Sequence, residues 1–451
     1  MNWTHQLAHF AAHTPAQDIP DAAWEAASAA FIDTVGVALA GCREPVCEIA
    51  LSWVEAQGCR PQASVLGRGV ATSPAEAAFA NGIAAHALDF DDSLLTLRGH
   101  PSAPLVSAAL AVGQSLSASG EAMLAAYIVG VEMAGKLGAA LGDKHYMHGW
   151  HTTATVGTLS AATAAARLHG LDAQGMQLAW GIAATQMAGL RRNFGSMVKP
   201  MHAGQAARAG VQAAWLASRG FSASTDIFDG PGGVLQVYGL DAQATLAQPV
   251  SRLGQPWEIL QPGISVKRWP CCYVTHRPIA GLQTLQAQHG LRTDEVERVD
   301  VTFIEGIDAA LINERPKTGL EGKFSIEYVV AAQLLDGGIG LASFTDDMIR
   351  RPEIQALMDK VHRHVTPPAS DSPDAPLTAR LALETTRGPM ALQIDHAPGS
   401  RQAPMSADDR RKKFMDCAQR VLSQEEASHL LSLLTRCRQL SDVNEILRAA
   451  H

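Results

Sequence analysis

Residues 21–41, DAAWEAASAAFIDTVGVALAG, decide the fold class. Trp24, Ala27, Phe31, Val35 and Leu39 recur three or four positions apart, the spacing of one helical face. Asp21 stands in front of the run as a capping residue, and Gly41 stands where the pattern ends. Alanine fills much of the remainder; it is the strongest helix former, and its small side chain lets helices approach closely. Moving outward, similar patterns predict helices at 74–88, 102–116, 120–140, 153–168, 173–189, 203–218 and 240–248, separated by Gly, Pro and polar breaks.

The period changes beyond Pro270. Val299, Val301 and Phe303 alternate with Arg298, Asp300 and Thr302, which predicts a half-buried strand. Leu377, Ala379, Leu381 and Leu383 alternate too, and after the turn at Arg387-Gly388-Pro389 so do Met390, Leu392 and Ile394. Helices are expected between these strands at 323–335 and 343–350. Helical signals then return, with Ser406/Asp409 and Ser423/Glu426 at capping-box spacing. The expected architecture is mainly α: a large helical domain from both chain ends (1–266 and 396–451) with an inserted, smaller α+β domain at 267–395.

Composition narrows the function. The chain has 451 residues, 47% hydrophobic and 18% charged, enough for two domains with a sizeable core. Its net charge of −8 leaves no broad electrostatic footprint for nucleic acid. The first residues, MNWTHQLAHFAAHTPAQD, have neither the basic nor the apolar segment of a secretory signal. The uncharged stretches 101–120 and 173–190 are broken by Ser, Gln, Thr or Gly and read as buried helices, not membrane spans. Seven cysteines without a CxxC pair fit a reducing, cytoplasmic setting.

Several motifs fail. Gly130 to Lys136 matches GxxxxGK, but it lies in a helical pattern, follows no strand, and has Leu137 where Ser or Thr should hold magnesium. No G-x-S-x-G elbow is present. His5, His9 and His13 share a helix face without a Cys or acid nearby and read as solvated. His145, His148 and His151 are interrupted by Gly149, and Cys271 and Cys272 are adjacent, so neither makes a convincing metal or iron–sulfur set. No metal and no cofactor is expected.

Four segments carry chemistry. The first, His86-Ala-Leu-Asp89-Phe-Asp91-Asp92-Ser93, leads to Gly99-His100-Pro101-Ser102. Three acids within four residues repel one another on a plain surface; one can face a pocket while another caps the next helix. His100 before Pro101 is biased out of helix, a setting for proton transfer near neutral pH. The others are Trp150-His151-Thr152, Lys199-Pro-Met-His202 and Lys267-Arg268-Trp269-Pro270, the last where the chain changes character.

These stretches also resemble the MmgE/PrpD family, which includes 2-methylcitrate dehydratases, cis-aconitate decarboxylases and an iminodisuccinate epimerase. The likeness rests on FIDTVGVALAG (31–41), NGIAAHALDFDDS (81–93), GHPSAP (99–104), GWHTTATVGTLSAA (149–162), VKPMHAGQAARAG (198–210), KRWPCCYVTH (267–276), GKFSIEYVVAAQLLDG (322–337) and PGSRQAPMS (398–406), in family order. The resemblance implies a helical domain from both ends, an α+β lid, a homodimer, and pocket residues at Asp89, Ser93, His100, His151, Lys199, Lys267 and Tyr328. Ser93 stands where the family usually has threonine.

The expected function is a cofactor-independent lyase, a dehydratase of the 2-methylcitrate type, acting beside a carboxylate of a small di- or tricarboxylic acid. The alternatives are a dicarboxylate epimerase, a cis-aconitate-type decarboxylase and, from another class, a non-catalytic carboxylate binder. Lys199 and Lys267, with Ser93, are expected to bind substrate carboxylates. His100 is expected to move the proton at carbon beside Asp89, with His151 or Tyr328 as the second acid.

Overall fold

The computed structural model describes residues 3–239, 245–368 and 377–450. Contacts divide the chain into two compact units: 1–191, 197–266 and 406–451 form the first, and 192–196 with 267–405 form the second.

The first unit is almost all helix. Its chain-order helices are α1 (Trp3–His13), α2 (Asp21–Gly41), α3 (Pro45–Ala56), α4 (Pro74–Ala87), α5 (Ser102–Leu116), α6 (Gly120–Met147), α7 (Thr152–Leu168), α8 (Ala173–Ala184) and α9 (Val198–Ala217). Asp21 is the first helical residue of α2, and Pro20 takes the N-cap position with no side-chain cap bond. The expected 203–218 helix begins earlier, at Val198, which places Lys199 in its first turn. Residues 240–244 of the expected 240–248 helix lie outside the described residues; Ala247–Ser251 is a short helix. By length and composition α2 and α6 could each cross a membrane, but 67% and 94% of their apolar windows are buried inside the protein. They are core helices.

Small residues set the spacing of this core. α9 packs against both α4 and α7. A Cβ on Gly82 of α4 would lie 2.7 Å from the Gly204 Cα of α9, and one on Gly204 would lie 2.4 Å from the Phe79 carbonyl oxygen. The two helices therefore meet backbone to backbone, which fixes the distance between the polar residues at their ends. Two short antiparallel pairs complete the unit: β1 (Ala63–Val65) with β2 (Val70–Thr72), and β3 (Ser93–Leu94) with β4 (Ile264–Ser265).

The closing segment contributes Ala407–Ala418 and Gln424–Thr435. Ser423 and Glu426 form the complete reciprocal capping box, whereas Ser406 caps the Asp409 N–H without the return bond to its own backbone. Lys413 pairs with Asp33 of α2 at 2.7 Å and donates to the Phe90 carbonyl at 2.9 Å, its ammonium 3.9 Å from the centre of the Phe90 ring.

The second unit is built on a four-stranded sheet of order β6-β5-β7-β8, with β5 at Val296–Ile304, β6 at Val361–Thr366, β7 at Ala379–Thr385 and β8 at Met390–Ile394. The expected hairpin is present, with Leu381 opposite Leu392. β6, unforeseen from sequence, runs parallel to β5 at the sheet edge. The helices His276–His289 and Ile326–Asp336 cover the sheet, and Val299, Val301, Phe303, Leu381 and Leu383 fill the core beneath them.

Candidate active site

The end of α4 turns sharply at Asp89. This residue has φ 51°, a left-handed conformation that costs most side chains energy but that Asp tolerates better than most. Its N–H bonds to the His86 carbonyl, closing the helix and starting the acidic turn. The three acids then separate by task. Asp92 caps the next helix, accepting from the Ser102 N–H at 3.3 Å and from the Ser102 hydroxyl, which also meets the Tyr127 hydroxyl at 2.6 Å. Asp91 accepts from His86 Nδ1, both oxygens at 2.9 Å. Asp89 pairs with Lys199 Nζ at 2.5 Å.

Lys199 also meets His86 Nε2 at 2.8 Å. The close crossing of α4 and α9 makes this possible, since His86 ends one helix and Lys199 begins the other. His86, Asp89, Asp91 and Lys199 are all at most 3% exposed. Paired charges are stable at such depth only when their hydrogen bonds are satisfied; here Lys199 meets Asp89 and His86, and His86 in turn meets Asp91.

His100 sits beside the group, its side chain 13% exposed. Gly99 lets its segment press on the start of α7; a Cβ there would lie 2.8 Å from Thr152 Oγ1 and 2.9 Å from Thr153 Oγ1. The His100 N–H donates to Thr153 Oγ1 at 2.9 Å. Its Nδ1 lies 2.7 Å from the Asp92 carbonyl oxygen. A carbonyl can only accept, so Nδ1 carries a proton and Nε2 is the nitrogen that can exchange one. Asp91 Oδ2 at 3.4 Å from Nδ1 and Asp89 Oδ1 at 3.9 Å from Nε2 stabilise positive charge on the ring.

His151 caps no helix with its side chain but stands at the head of α7, its N–H bonded to the Gly189 carbonyl. Its Nδ1 is 3.0 Å from His202 Nδ1, so one ring donates and the other accepts. The rings of His86, His100 and His151 lie within 6.4 Å of one another, centre to centre. Burial first, then Lys199 and the neighbouring imidazoles, holds His151 well below the usual histidine range. Burial, with His86 and Lys199, holds His202 down at about 4. Burial raises Asp92 to about 8, only partly offset by the Ser102 hydroxyl.

His86, Asp89, Asp91 and His100 each offer a ligand atom, all within 4.8 Å of one another. The Lys199 ammonium already donates to two of the four, and a divalent ion would have to displace it. The donor set suits a resident lysine better than a metal.

The sequence-predicted residues thus divide. Asp89, His100, His151 and Lys199 come together in the first unit, where Ser93 belongs to the β3–β4 pair. Lys267 and Tyr328 belong to the second unit. Lys267 is fully buried. The Tyr328 ring packs against Phe344, and its hydroxyl donates to the Ser343 carbonyl, so its proton already has a partner within that unit. Lys323, a buried cation missed from sequence, donates to the Pro270 carbonyl at 2.8 Å.

Family profiles match the chain on both sides of residue 267: the MmgE/PrpD N-terminal domain at 5–247 and the MmgE/PrpD C-terminal domain at 269–437. The chain belongs to the MmgE/PrpD family. Among individual relatives, this MmgE/PrpD protein is 27% identical to a cis-aconitate decarboxylase of Aspergillus terreus, over 98% of its own length and 95% of the relative's. It is 28% identical to the human cis-aconitate decarboxylase, over 91% and 87% of the two chains. A cis-aconitate decarboxylase-like protein of Aspergillus oryzae matches at 27% over 99% and 96%. In coarse terms this MmgE/PrpD member is an enzyme of the lyase kind.

Three members of the cluster, His86, Asp91 and His202, stand in the segments expected to carry chemistry but were given no role there. His86 and Asp91 lie inside the NGIAAHALDFDDS stretch, and His202 lies three residues after Lys199. Their helical spacing was the available signal: His202 follows Lys199 by one turn and therefore shares its face.

Proposed function

We propose that this chain decarboxylates a small unsaturated tricarboxylate of the cis-aconitate kind without a metal or cofactor. The observation that supports it best is the buried His86–Asp89–Asp91–Lys199 cluster with the half-buried His100 beside it, found in a chain that matches cis-aconitate decarboxylases along nearly its whole length. In such a reaction the carbon–carbon bond to one carboxylate breaks and carbon dioxide leaves. The electron pair passes into the adjoining unsaturated system, and a proton is then added to carbon. Lys199 stabilises the charge that develops on the remaining carboxylate oxygens. His100 supplies the proton from Nε2 while Nδ1–H stays on the Asp92 carbonyl.

Decarboxylation is preferred to dehydration for a physical reason. Expelling hydroxide needs a strong acid beside the leaving oxygen. His151, expected in that role, is buried and held neutral, and the Tyr328 proton is engaged by Ser343. Dehydration of a 2-methylcitrate-type acid is the second reading, favoured by the family resemblance.

The test is proton NMR of chelator-treated protein in deuterated buffer with cis-aconitate, 2-methylcitrate, citrate and iminodisuccinate in turn. Decarboxylation yields new vinylidene signals and labelled carbon dioxide from carboxyl-labelled cis-aconitate. A vinyl product from a hydroxy acid with no carbon dioxide would replace this reading by dehydration. Deuterium uptake without a new product would replace it by epimerisation, and activity that returns only with added metal would overturn the cofactor-free chemistry.

A further inference from the structure

His86 is as buried as any group in the cluster, yet it does not need to touch substrate to matter. Lys199, ion-paired with Asp89, is an ammonium and can only donate. The His86 Nε2 that it faces at 2.8 Å must therefore be bare. A neutral imidazole with bare Nε2 carries its proton on Nδ1, and that nitrogen faces both oxygens of Asp91 at 2.9 Å. Every donor then meets an acceptor in one consistent direction, from Lys199 through His86 to Asp91. The other groups around the ring preserve that direction: Asp89 reaches it through Lys199, and the His100 and His151 rings lie 4.5 Å and 6.0 Å away.

We propose that His86 and Asp91 are positioning residues for Lys199, with Asp91 holding His86 in the Nδ1–H tautomer so that Nε2 accepts from the lysine. The pair keeps the ammonium charged and fixed at the Asp89 edge of the cluster, where charge develops on substrate oxygens. This role deepens the decarboxylase reading and rests on it for its catalytic consequence, although the tautomer itself does not.

A comparable device is known from serine proteases, where an aspartate selects the imidazole tautomer. Changing that aspartate to asparagine leaves the geometry intact and lowers turnover by about four orders of magnitude. Here Asp91→Asn removes the carboxylate that fixes the Nδ1 proton and offers an amide N–H that can donate to Nδ1, which lets the ring proton move to Nε2 and point at Lys199.

The experiment is nitrogen-15 NMR of ring-labelled histidine in the full-length parent, in Asp91→Asn and in His86→Gln, the last assigning the His86 signals by their loss. The parent is expected to show a protonated Nδ1 and a bare Nε2 at His86, and Asp91→Asn the reverse. Turnover in Asp91→Asn is expected to fall by roughly a hundredfold or more with KM little changed. His86→Gln, whose amide can both accept from Lys199 and donate to Asp91, should retain more activity than His86→Ala. A proton on Nε2 in the parent overturns the proposal, and it does so on parent protein alone should Asp91→Asn not fold. Tautomer inversion with unchanged turnover overturns it as well. Should no tested acid be a substrate, the decarboxylase reading falls, while the NMR result still decides the tautomer.

Discussion

In the first unit Lys136 and Lys199 are both buried against carboxylates, and they are put to different uses. Lys136 of α6 pairs with Glu258 at 2.8 Å and with Glu132 at 3.4 Å. Both Glu132 oxygens also accept backbone N–H bonds from Gly254 and Glu258, and the second Glu258 oxygen accepts from Thr96 at 2.6 Å. Each carboxylate oxygen thus has a fixed donor, and no imidazole takes part. Lys199 has equally close partners, but they are an aspartate in a left-handed turn and a histidine, beside the further imidazoles of His100 and His151. A lysine surrounded by fully committed acceptors is a tie between segments. One beside imidazole rings has the setting that the proposed decarboxylation calls for. From sequence, the GxxxxGK string that ends at Lys136 fails as a phosphate loop, and Lys199 lies in a segment expected to carry chemistry.

Four measurements would break or sharpen this contrast. Lys136→Met should cost about 3–5 kcal/mol of stability, because it strands two buried carboxylates. Chemical denaturation reads that loss, and turnover per folded molecule should stay near the parent's. A large loss of turnover at unchanged stability would erase the distinction. His100→Ala should do the reverse, lowering turnover roughly a hundredfold or more with the unfolding midpoint nearly unmoved; steady-state kinetics on the preferred acid checks it. Gly82→Ala tests the crossing that delivers Lys199 to His86. A Cβ there would lie 2.7 Å from the Gly204 Cα, so a loss of about 1–3 kcal/mol is expected, together with weaker activity.

The smallest effect is in pH dependence, where the two sites have opposite signs. His202 is held at about 4, against 6.5 in an unfolded chain. Between those values the unfolded chain takes up a proton that the fold refuses, so this contribution is complete above 6.5 and is lost as pH falls toward 4. Glu132 is raised above 4.5, chiefly by burial. The fold binds its proton more tightly, so this contribution is favourable at low pH and disappears as pH rises through the raised value. Urea midpoints from pH 4 to 7 for the parent, His202→Gln and Glu132→Gln should differ with opposite slopes.

Much of the fold was legible because its helices are amphipathic or wholly apolar over many turns. α2 ends at Gly41, as its pattern indicated, and α5 coincides with 102–116. β6 was illegible because VHRHVT is an edge strand, exposed over its last three residues and without apolar alternation. The helix at His276–His289 was hidden by its polar composition. At the site, the division of labour among the acids was foreseen in kind, since one caps the next helix. That Asp92 is the cap and Asp91 the imidazole partner depends on the left-handed turn at Asp89, which no local propensity announces. The His151–His202 pair joins residues 51 apart in sequence, and only the packing of α9 on α7 brings them together.

The bond from Lys413 to the Phe90 carbonyl spans 323 positions of the chain. On the ribosome, Asp33 and the acidic turn emerge long before the ammonium that neutralises one and anchors the other. A nascent chain stopped short of Lys413 holds every residue of the first unit's cluster but lacks the brace behind it.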